Sequence, residues 1–206
     1  RRAFFPRSAP GFTLVELLVA IGILAMVAVL GWRGLDGIVR ARVALTDQME
    51  MTRGMQLAFA QMQSDCEHVV DAAMLGRRPF LLQADNRITM VRTVFNENEP
   101  ARLQVIAYRL VDGQLQRRES NTTRDLVELD ALWQASVSDT DPTPPVTLQG
   151  GVQSMAVLVW QNQAWQKQPN LTPGGLPSTP ILGVQVELAA RGYPQPLTKS
   201  FLLGSI

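Results

Sequence analysis

Glu16 is the residue whose surroundings most clearly need a chemical explanation. It is the single charged residue in an apolar run of 21 residues from Phe12 to Trp32. A carboxylate in hydrocarbon costs about 3 kcal/mol on insertion scales, so it must take up a proton or find a positive partner. Arg33 lies 17 residues further on, which is roughly 25 Å along a helix. We therefore expect Glu16 to pair with a cation from outside the run; the alternative is a protonated side chain near the headgroups.

Cys66 and His68 are the single cysteine and the single histidine of the chain. No disulfide can form within the chain, and a zinc site of cysteine and histidine lacks the three or four ligands that it needs. Residues two apart on a helix point to different sides, so the two side chains cannot act as a catalytic dyad. We expect Cys66 to be a buried small hydrophobe and His68 to lie at the surface or at a helix end.

Two pairs of carboxylates remain for acid–base or metal chemistry, Glu97 with Glu99 and Asp139 with Asp141. Both pairs lie in segments rich in Asn, Thr and Pro, where solvated loop acids are expected. Oxygen ligands suit calcium, so a structural calcium ion is the one alternative that we keep. Otherwise the sequence predicts no enzyme: no catalytic residue, no cofactor and no metal site.

The composition places an excess of positive charge at one end. The 206 residues are 46% hydrophobic and 18% charged, which is too apolar for a disordered chain. Three arginines precede the apolar run, and the rest of the chain has 16 basic against 18 acidic residues. This balance offers no basic face for nucleic acid. The length allows one compact domain together with an extended element.

The apolar run is long enough to cross a bilayer, at roughly 30 Å for a helix. The arginines before it predict a cytoplasmic N-terminus and place the rest of the chain outside. A cleaved signal peptide would have a shorter apolar core followed by a small-residue cleavage site, and an ordinary anchor would give no reason for Glu16. The chain begins without Met, so we expect the natural leader to start further upstream.

The residues G-F-T-L-V-E at positions 11–16 resemble the signature of type IV prepilins. The resemblance implies that a prepilin peptidase on the cytoplasmic face cuts between Gly11 and Phe12, and that the new N-terminal Phe12 is methylated. It also implies that Glu16 is retained for assembly, where it accepts the amine of a neighbouring subunit.

Beyond the run, apolar residues recur every three or four positions, which predicts that the helix continues and packs through this stripe. The stripe consists of Leu45, Met49, Thr52, Met55, Phe59, Met62, Cys66, Val69 and Ala73. The segment from Gly76 to Pro79 is expected to end the helix.

Period-2 patterns then predict strands, with a β-hairpin across Asp112-Gly113. The predicted strands are 87–94, 103–110, 114–119, 152–160, 181–190 and 197–203. Between them we expect a short helix within 121–133 and polar loops at 139–145 and 168–180.

Two further motifs, W-R-G-L-D-G at 32–37 and Y-R-L-V-D-G-Q-L-Q-R-R at 108–118, resemble the minor pseudopilin J family of type II secretion systems. A plain hairpin also explains the second motif, and the two interpretations are compatible. The alternatives are a minor pilin of a type IV pilus and, from another class, a membrane-anchored periplasmic enzyme or binding module.

The combined prediction is an α+β, pilin-like fold with a long N-terminal helix, membrane-spanning in its first half, packed on antiparallel β-sheet. We expect a cleaved basic leader at 1–11, a transmembrane helix at 12–33, its periplasmic continuation at 34–76 and a periplasmic β-rich domain at 77–206. The resemblance implies a single-pass inner-membrane protein of the pseudopilus tip. Its implied partners are the prepilin peptidase, the minor pseudopilins I and K and, beyond them, H and the major pseudopilin G.

Overall fold

A computed structural model describes residues 11–169 and 177–204. The chain divides into two compact units, Arg1–Met49 and Glu50–Ile206. One long helix, α1 (Leu14–Glu67), begins in the first unit and ends in the second. No proline occurs between Gly11 and Glu67, so the helix meets no residue that would break it.

The first unit is helical from Leu14 onward, and the side chains of its described residues are exposed. Among the described residues, α1 is the helix that is long and apolar enough to cross a membrane. This agrees with the membrane-spanning first half predicted from the apolar run.

The described residues of the second unit form two antiparallel sheets and two shorter helices. Sheet A has the strand order β1-β2-β3-β4-β5, and sheet B has the order β7-β6-β8-β9. The strands of sheet A are β1 (Leu81–Ala84), β2 (Arg87–Val94), β3 (Arg102–Val111), β4 (Gln114–Glu119) and β5 (Val146–Gly150). Those of sheet B are β6 (Val152–Gln161), β7 (Ala164–Gln166), β8 (Gly183–Ala190) and β9 (Leu197–Leu202). The helices are α2 (Ala72–Leu75) and α3 (Leu126–Ser138).

The strands confirm the period-2 predictions, and the α+β, pilin-like fold is the predicted one. The hairpin turn lies at Asp112 and Gly113, whose φ angles are 49° and 73°. Both residues are therefore left-handed, as a two-residue type I′ turn requires. The short helix predicted within 121–133 forms as α3 and continues to Ser138. The second predicted loop, 168–180, lies partly outside the described residues.

The end predicted for the long helix was wrong, because α1 stops at Glu67 rather than at Gly76. Val69 and Val70 are buried and extended, and the Val70 N–H donates to the carbonyl of Val91 on β2 at 3.0 Å. β-Branched residues favour an extended, half-buried backbone, so this pair leaves the helix to pair with the sheet.

The apolar stripe on α1 is correspondingly shorter than predicted. Leu45, Met49 and Ala73 are exposed. Within the second unit the buried face of α1 consists of Met55, Ala58, Phe59, Met62, Asp65 and Cys66. The apolar members of this face share one core with both sheets, and α3 packs on β3.

Candidate functional site

The start of α1 is built as a capping box. Thr13 precedes the first helical residue, and its hydroxyl accepts the Glu16 N–H at 3.3 Å. The Glu16 carboxylate reaches back, where its Oε2 accepts the Thr13 N–H at 2.9 Å and the Thr13 hydroxyl at 2.8 Å. Such a reciprocal pair satisfies donors that a helix start leaves free. Thr13-Leu-Val-Glu16 therefore starts the helix as well as placing the carboxylate.

The other predicted site residues at this end lie just before the helix. Gly11 and Phe12 are exposed and are not helical. A Cβ added at Gly11 would meet no atom of the described residues within 4 Å. The bond between these two residues therefore lies in an open, irregular segment next to the capped helix start.

A second polar centre, in the Glu50–Ile206 unit, surrounds Asp65 on the buried face of α1. Its side chain is 0% exposed. Arg117 Nε donates to Asp65 Oδ2 at 2.8 Å, and Arg92 Nη1 donates to Asp65 Oδ1 at 2.6 Å. The Tyr108 hydroxyl donates to Oδ2 at 2.5 Å. The carboxylate is thus bound by two guanidinium groups and a phenol, as a buried charge requires.

The sheet register explains how these groups meet. Tyr108 on β3 lies directly opposite Arg117 on β4, so both side chains point to the face that carries α1. Burial and then the charge of Asp65 raise the pKa of Tyr108. Burial alone would lower the pKa of Arg117, but its hydrogen bond to Asp65 and the carboxylate charge raise it. The centre is a closed ionic contact that joins the helix to the sheet.

The next residue on each strand faces the opposite side of sheet A and meets a second carboxylate. Arg109 Nη1 and Arg118 Nη1 lie 2.7 and 2.8 Å from the two oxygens of Asp139. Asp139 ends α3 in the left-handed conformation, with φ 62°. Burial lowers the pKa of Arg109 although Asp139 opposes this. The hairpin therefore binds one carboxylate on each face, Asp65 of α1 and Asp139 at the end of α3.

These contacts bear on the loop carboxylates considered for calcium. Asp139 forms ion pairs with Arg109 and Arg118. Asp141 accepts a hydrogen bond from the Thr143 N–H at 2.8 Å, and Glu99 lies 3.4 Å from Arg102. Within residues 11–169 and 177–204, no three acidic, histidine or cysteine side chains come together as a metal site would need.

Cys66 and His68 lie where the sequence predicted. Cys66 is buried, and burial followed by the neighbouring carboxylates of Asp65 and Glu67 raises the pKa of its thiol to about 12. His68 is exposed at the end of α1, with Nδ1 2.7 Å from the Ser64 carbonyl oxygen. The sequence interpretation missed Asp65, although a signal existed: it follows Met62 by three positions and so lies on the predicted apolar stripe.

The long apolar N-terminal helix and the antiparallel sheets define a type IV pilin-like protein. Residues 6–32 match the prokaryotic N-terminal methylation motif. Residues 33–203 match the family described as Type II secretion system (T2SS), protein J. The chain belongs to this family.

The chain is also similar to the Type II secretion system protein J of Klebsiella pneumoniae. The two are 28% identical over 183 residues, which cover 82% of this chain and 86% of the relative. The resemblance predicted from the two motifs is confirmed, and the protein is a minor pseudopilin of type II secretion. The family is a structural component of the secretion system, and its membership implies other pseudopilins as partners.

Proposed function

We propose that the protein is a structural, non-catalytic subunit of the pseudopilus tip, which takes part in the export of folded proteins across the outer membrane. The observation that carries the proposal is the exposed apolar helix with one capped carboxylate, Glu16, near its start. A helix of this kind needs a bilayer or neighbouring helices around it. The first half is anchored in the inner membrane, and the domain beyond residue 34 lies in the periplasm.

Processing between Gly11 and Phe12 by the prepilin peptidase prepares the assembly contact. Cleavage creates an amine on Phe12, which becomes methylated. In the precursor Phe12 lies outside the helix, so its nitrogen is not needed for a helical hydrogen bond. The site can be tested by mass spectrometry of the mature chain from cells that contain the peptidase. Gly11→Val should retain the leader, whereas Gly22→Val, at a glycine with open space inside the helix, should be processed normally.

Glu16 then accepts the amine of a neighbouring subunit. Its Oε2 is bonded to Thr13, whereas Oε1 has no hydrogen-bond partner among the described residues. An ion pair between Glu16 and this amine avoids the free-energy cost of placing each charge unpaired in hydrocarbon. Since the pair forms only at one stagger of the subunits, it sets the register of assembly, as buried polar groups do in coiled coils.

Two substitutions separate the charge of Glu16 from its capping role. Glu16→Gln keeps an acceptor for Thr13 but removes the charge, and it should lower both incorporation into the tip complex and secretion. Thr13→Ala removes the capping hydroxyl but keeps the charge, so it should lower neither by a comparable amount. Co-purification from membranes with the other pseudopilins measures incorporation. Normal assembly and secretion with Glu16→Gln would contradict the pairing role.

The partners that we propose are the minor pseudopilins I and K, together with H and the major pseudopilin G. The test is co-expression of the full chains, followed by purification through a tag on this one. Sedimentation should show a hetero-complex at tens of micromolar, and its absence would reject these partners.

The periplasmic location of the C-terminal domain can be tested with a C-terminal alkaline phosphatase fusion. The fusion should be active, because that enzyme folds only outside the cytoplasm.

A further inference from the structure

Strand β9 (Leu197–Leu202) forms one edge of sheet B. The Leu203 N–H donates to the Leu182 carbonyl on the β8 side, and the Gly204 N–H donates to Cys66 O, each at 3.0 Å. Neighbouring residues of a strand direct their backbone groups to opposite sides. The backbone groups of Thr198, Ser200 and Leu202 therefore point away from β8. Nothing within residues 11–169 or 177–204 is hydrogen-bonded to them.

This edge lacks the usual protection against further pairing. Native edge strands are blunted by proline, by bulges or by charged side chains. β9 contains no proline, and its register with β8 runs from Leu188↔Leu197 to Gly183↔Leu202 without a shift. Its one charged residue, Lys199, donates to Gln63 Oε1 and lies 5.6 Å from the Phe201 ring centroid. Lys199 is thus held by the domain itself.

An apolar patch borders the edge on the outer face of sheet B. It consists of Trp160, Trp165, Leu182 and Leu202 and surrounds a cavity of about 300 Å³. The two indole rings lie edge to face with centroids 5.1 Å apart. Leu202 and Leu182 are 66% and 57% exposed. Since Leu202 belongs both to the edge and to the patch, the two features form one continuous surface.

We propose that this surface binds an extended segment of another pseudopilin, which adds to β9 as a further antiparallel or parallel strand. The partner's backbone pairs with the free groups of Thr198, Ser200 and Leu202, and an apolar side chain of the partner fills the patch. The choice of partner rests on the proposed function, because the family implies an assembly of several pseudopilins.

A second copy of this chain fits the surface less well. The symmetric pairing of two β9 strands that joins the most residues is centred on Ser200, since the outward groups belong to alternate residues. It sets Leu202 opposite Thr198 of the other copy. Neither patch then receives an apolar side chain, whereas a different partner can supply both the backbone pairing and the apolar group.

The test uses the full chain in detergent, mixed with full-length pseudopilins I and K of the same secretion system. Ser200→Pro removes one outward N–H, a change that edge strands tolerate. It should weaken complex formation about tenfold or more, which corresponds to about 1.4 kcal/mol. The matched control is Ser200→Val, which keeps the N–H and should bind as the wild type does. Leu202→Asp should weaken binding similarly, whereas Val127→Asp, at a residue 71% exposed on α3, should not.

Hydrogen exchange of the segment 197–204 gives the second readout. The amides of Thr198, Ser200 and Leu202 should become protected in the complex, and thermal unfolding should show that both serine variants are folded. A complex that forms with unchanged exchange at β9 overturns this inference while the proposed function stands. The absence of any complex overturns both. Protection that grows with the concentration of this chain alone would assign the edge to a second copy and overturn the choice of partner.

Discussion

Arg117 binds both carboxylate oxygens of Asp65, with Nε 2.8 Å from Oδ2 and Nη2 3.1 Å from Oδ1. This two-point contact fixes the rotation of α1 about its axis as well as its distance from sheet A, because a planar guanidinium and a carboxylate match only in one orientation. It adds a directional constraint to the apolar packing of the buried face of α1. Within the Glu50–Ile206 unit, the ion pair therefore orients the end of α1 on sheet A.

Asp65→Asn should lower the free energy of unfolding by about 3 kcal/mol, because Arg92 and Arg117 are left without their shared charge. Asp139→Asn is the matched control on the other face of the sheet. Asp139 is 54% exposed, so its loss should cost about 1 kcal/mol or less. Urea unfolding of the full chains in detergent measures both values. Equal costs for the two variants would contradict the central role of Asp65.

Tyr108→Phe should cost about 1.5 to 3 kcal/mol, the usual range for a hydrogen bond to a charged group. The pH dependence gives a further check. The folded pKa of Tyr108 is raised by burial and then by Asp65, so above pH of about 10 the unfolded chain loses a proton that the folded chain keeps. Stability should therefore fall as the pH rises through this region. The phenylalanine variant should show a shallower fall than the wild type.

Cys66 should be unreactive in the folded chain. Its pKa is raised to about 12 from an ordinary value of 9.0, and the thiolate is the reactive form. Between these pH values the unfolded thiol ionises while the folded one does not, so stability should fall by up to about 1.4 kcal/mol per pH unit. A thiol reagent at pH 8 should modify Cys66 only after urea unfolding. Rapid labelling under native conditions would contradict its burial, and Cys66→Ala should lose this part of the pH dependence.

Met62→Asp should destabilise the domain by about 3 kcal/mol or more, because Met62 is 2% exposed in the core and the new carboxylate would have no partner there. Leu57→Asp makes a similar change on the same helix at a residue 61% exposed. Its effect should be within about 0.5 kcal/mol. Thermal unfolding compares the two, and a similar loss for both would mean that the helix packs through a different face.

The regular elements were predictable because their signals are local. The period-2 pattern located β2 and β6, and the residue pair Asp112-Gly113 determined the turn between β3 and β4. Short strands such as β1 and β7 have three or four residues, too few for a period to appear. Their pairing depends on the neighbouring strands, which one sequence does not reveal.

The helix end and the ionic centre depended on tertiary contacts. Val69 continues the apolar periodicity of α1, but it forms an antiparallel β-bridge with Arg92 of β2. This bridge stabilises the extended backbone at Val69 more than a further helical turn would. Aspartate usually lies on the solvent-exposed face of a helix, so its residue type did not predict Asp65 in the core. Only the fold brings Tyr108 and Arg117 into contact with it. By contrast, Gly11, Phe12 and Glu16 were selected because a short linear motif resembles the prepilin signature, and their roles in processing and assembly stay predictions.

The bond from Gly204 N–H to Cys66 O determines when the domain can be completed. The ribosome makes Cys66 long before Gly204, so this contact at the end of α1 forms only after the final described strand has been synthesised. The rings of Phe59 and Phe201, 6.4 Å apart, meet with the same delay. Until then the part of the helix that contacts β9 stays uncovered, and a nascent chain released before β9 would expose it to chaperones and proteases.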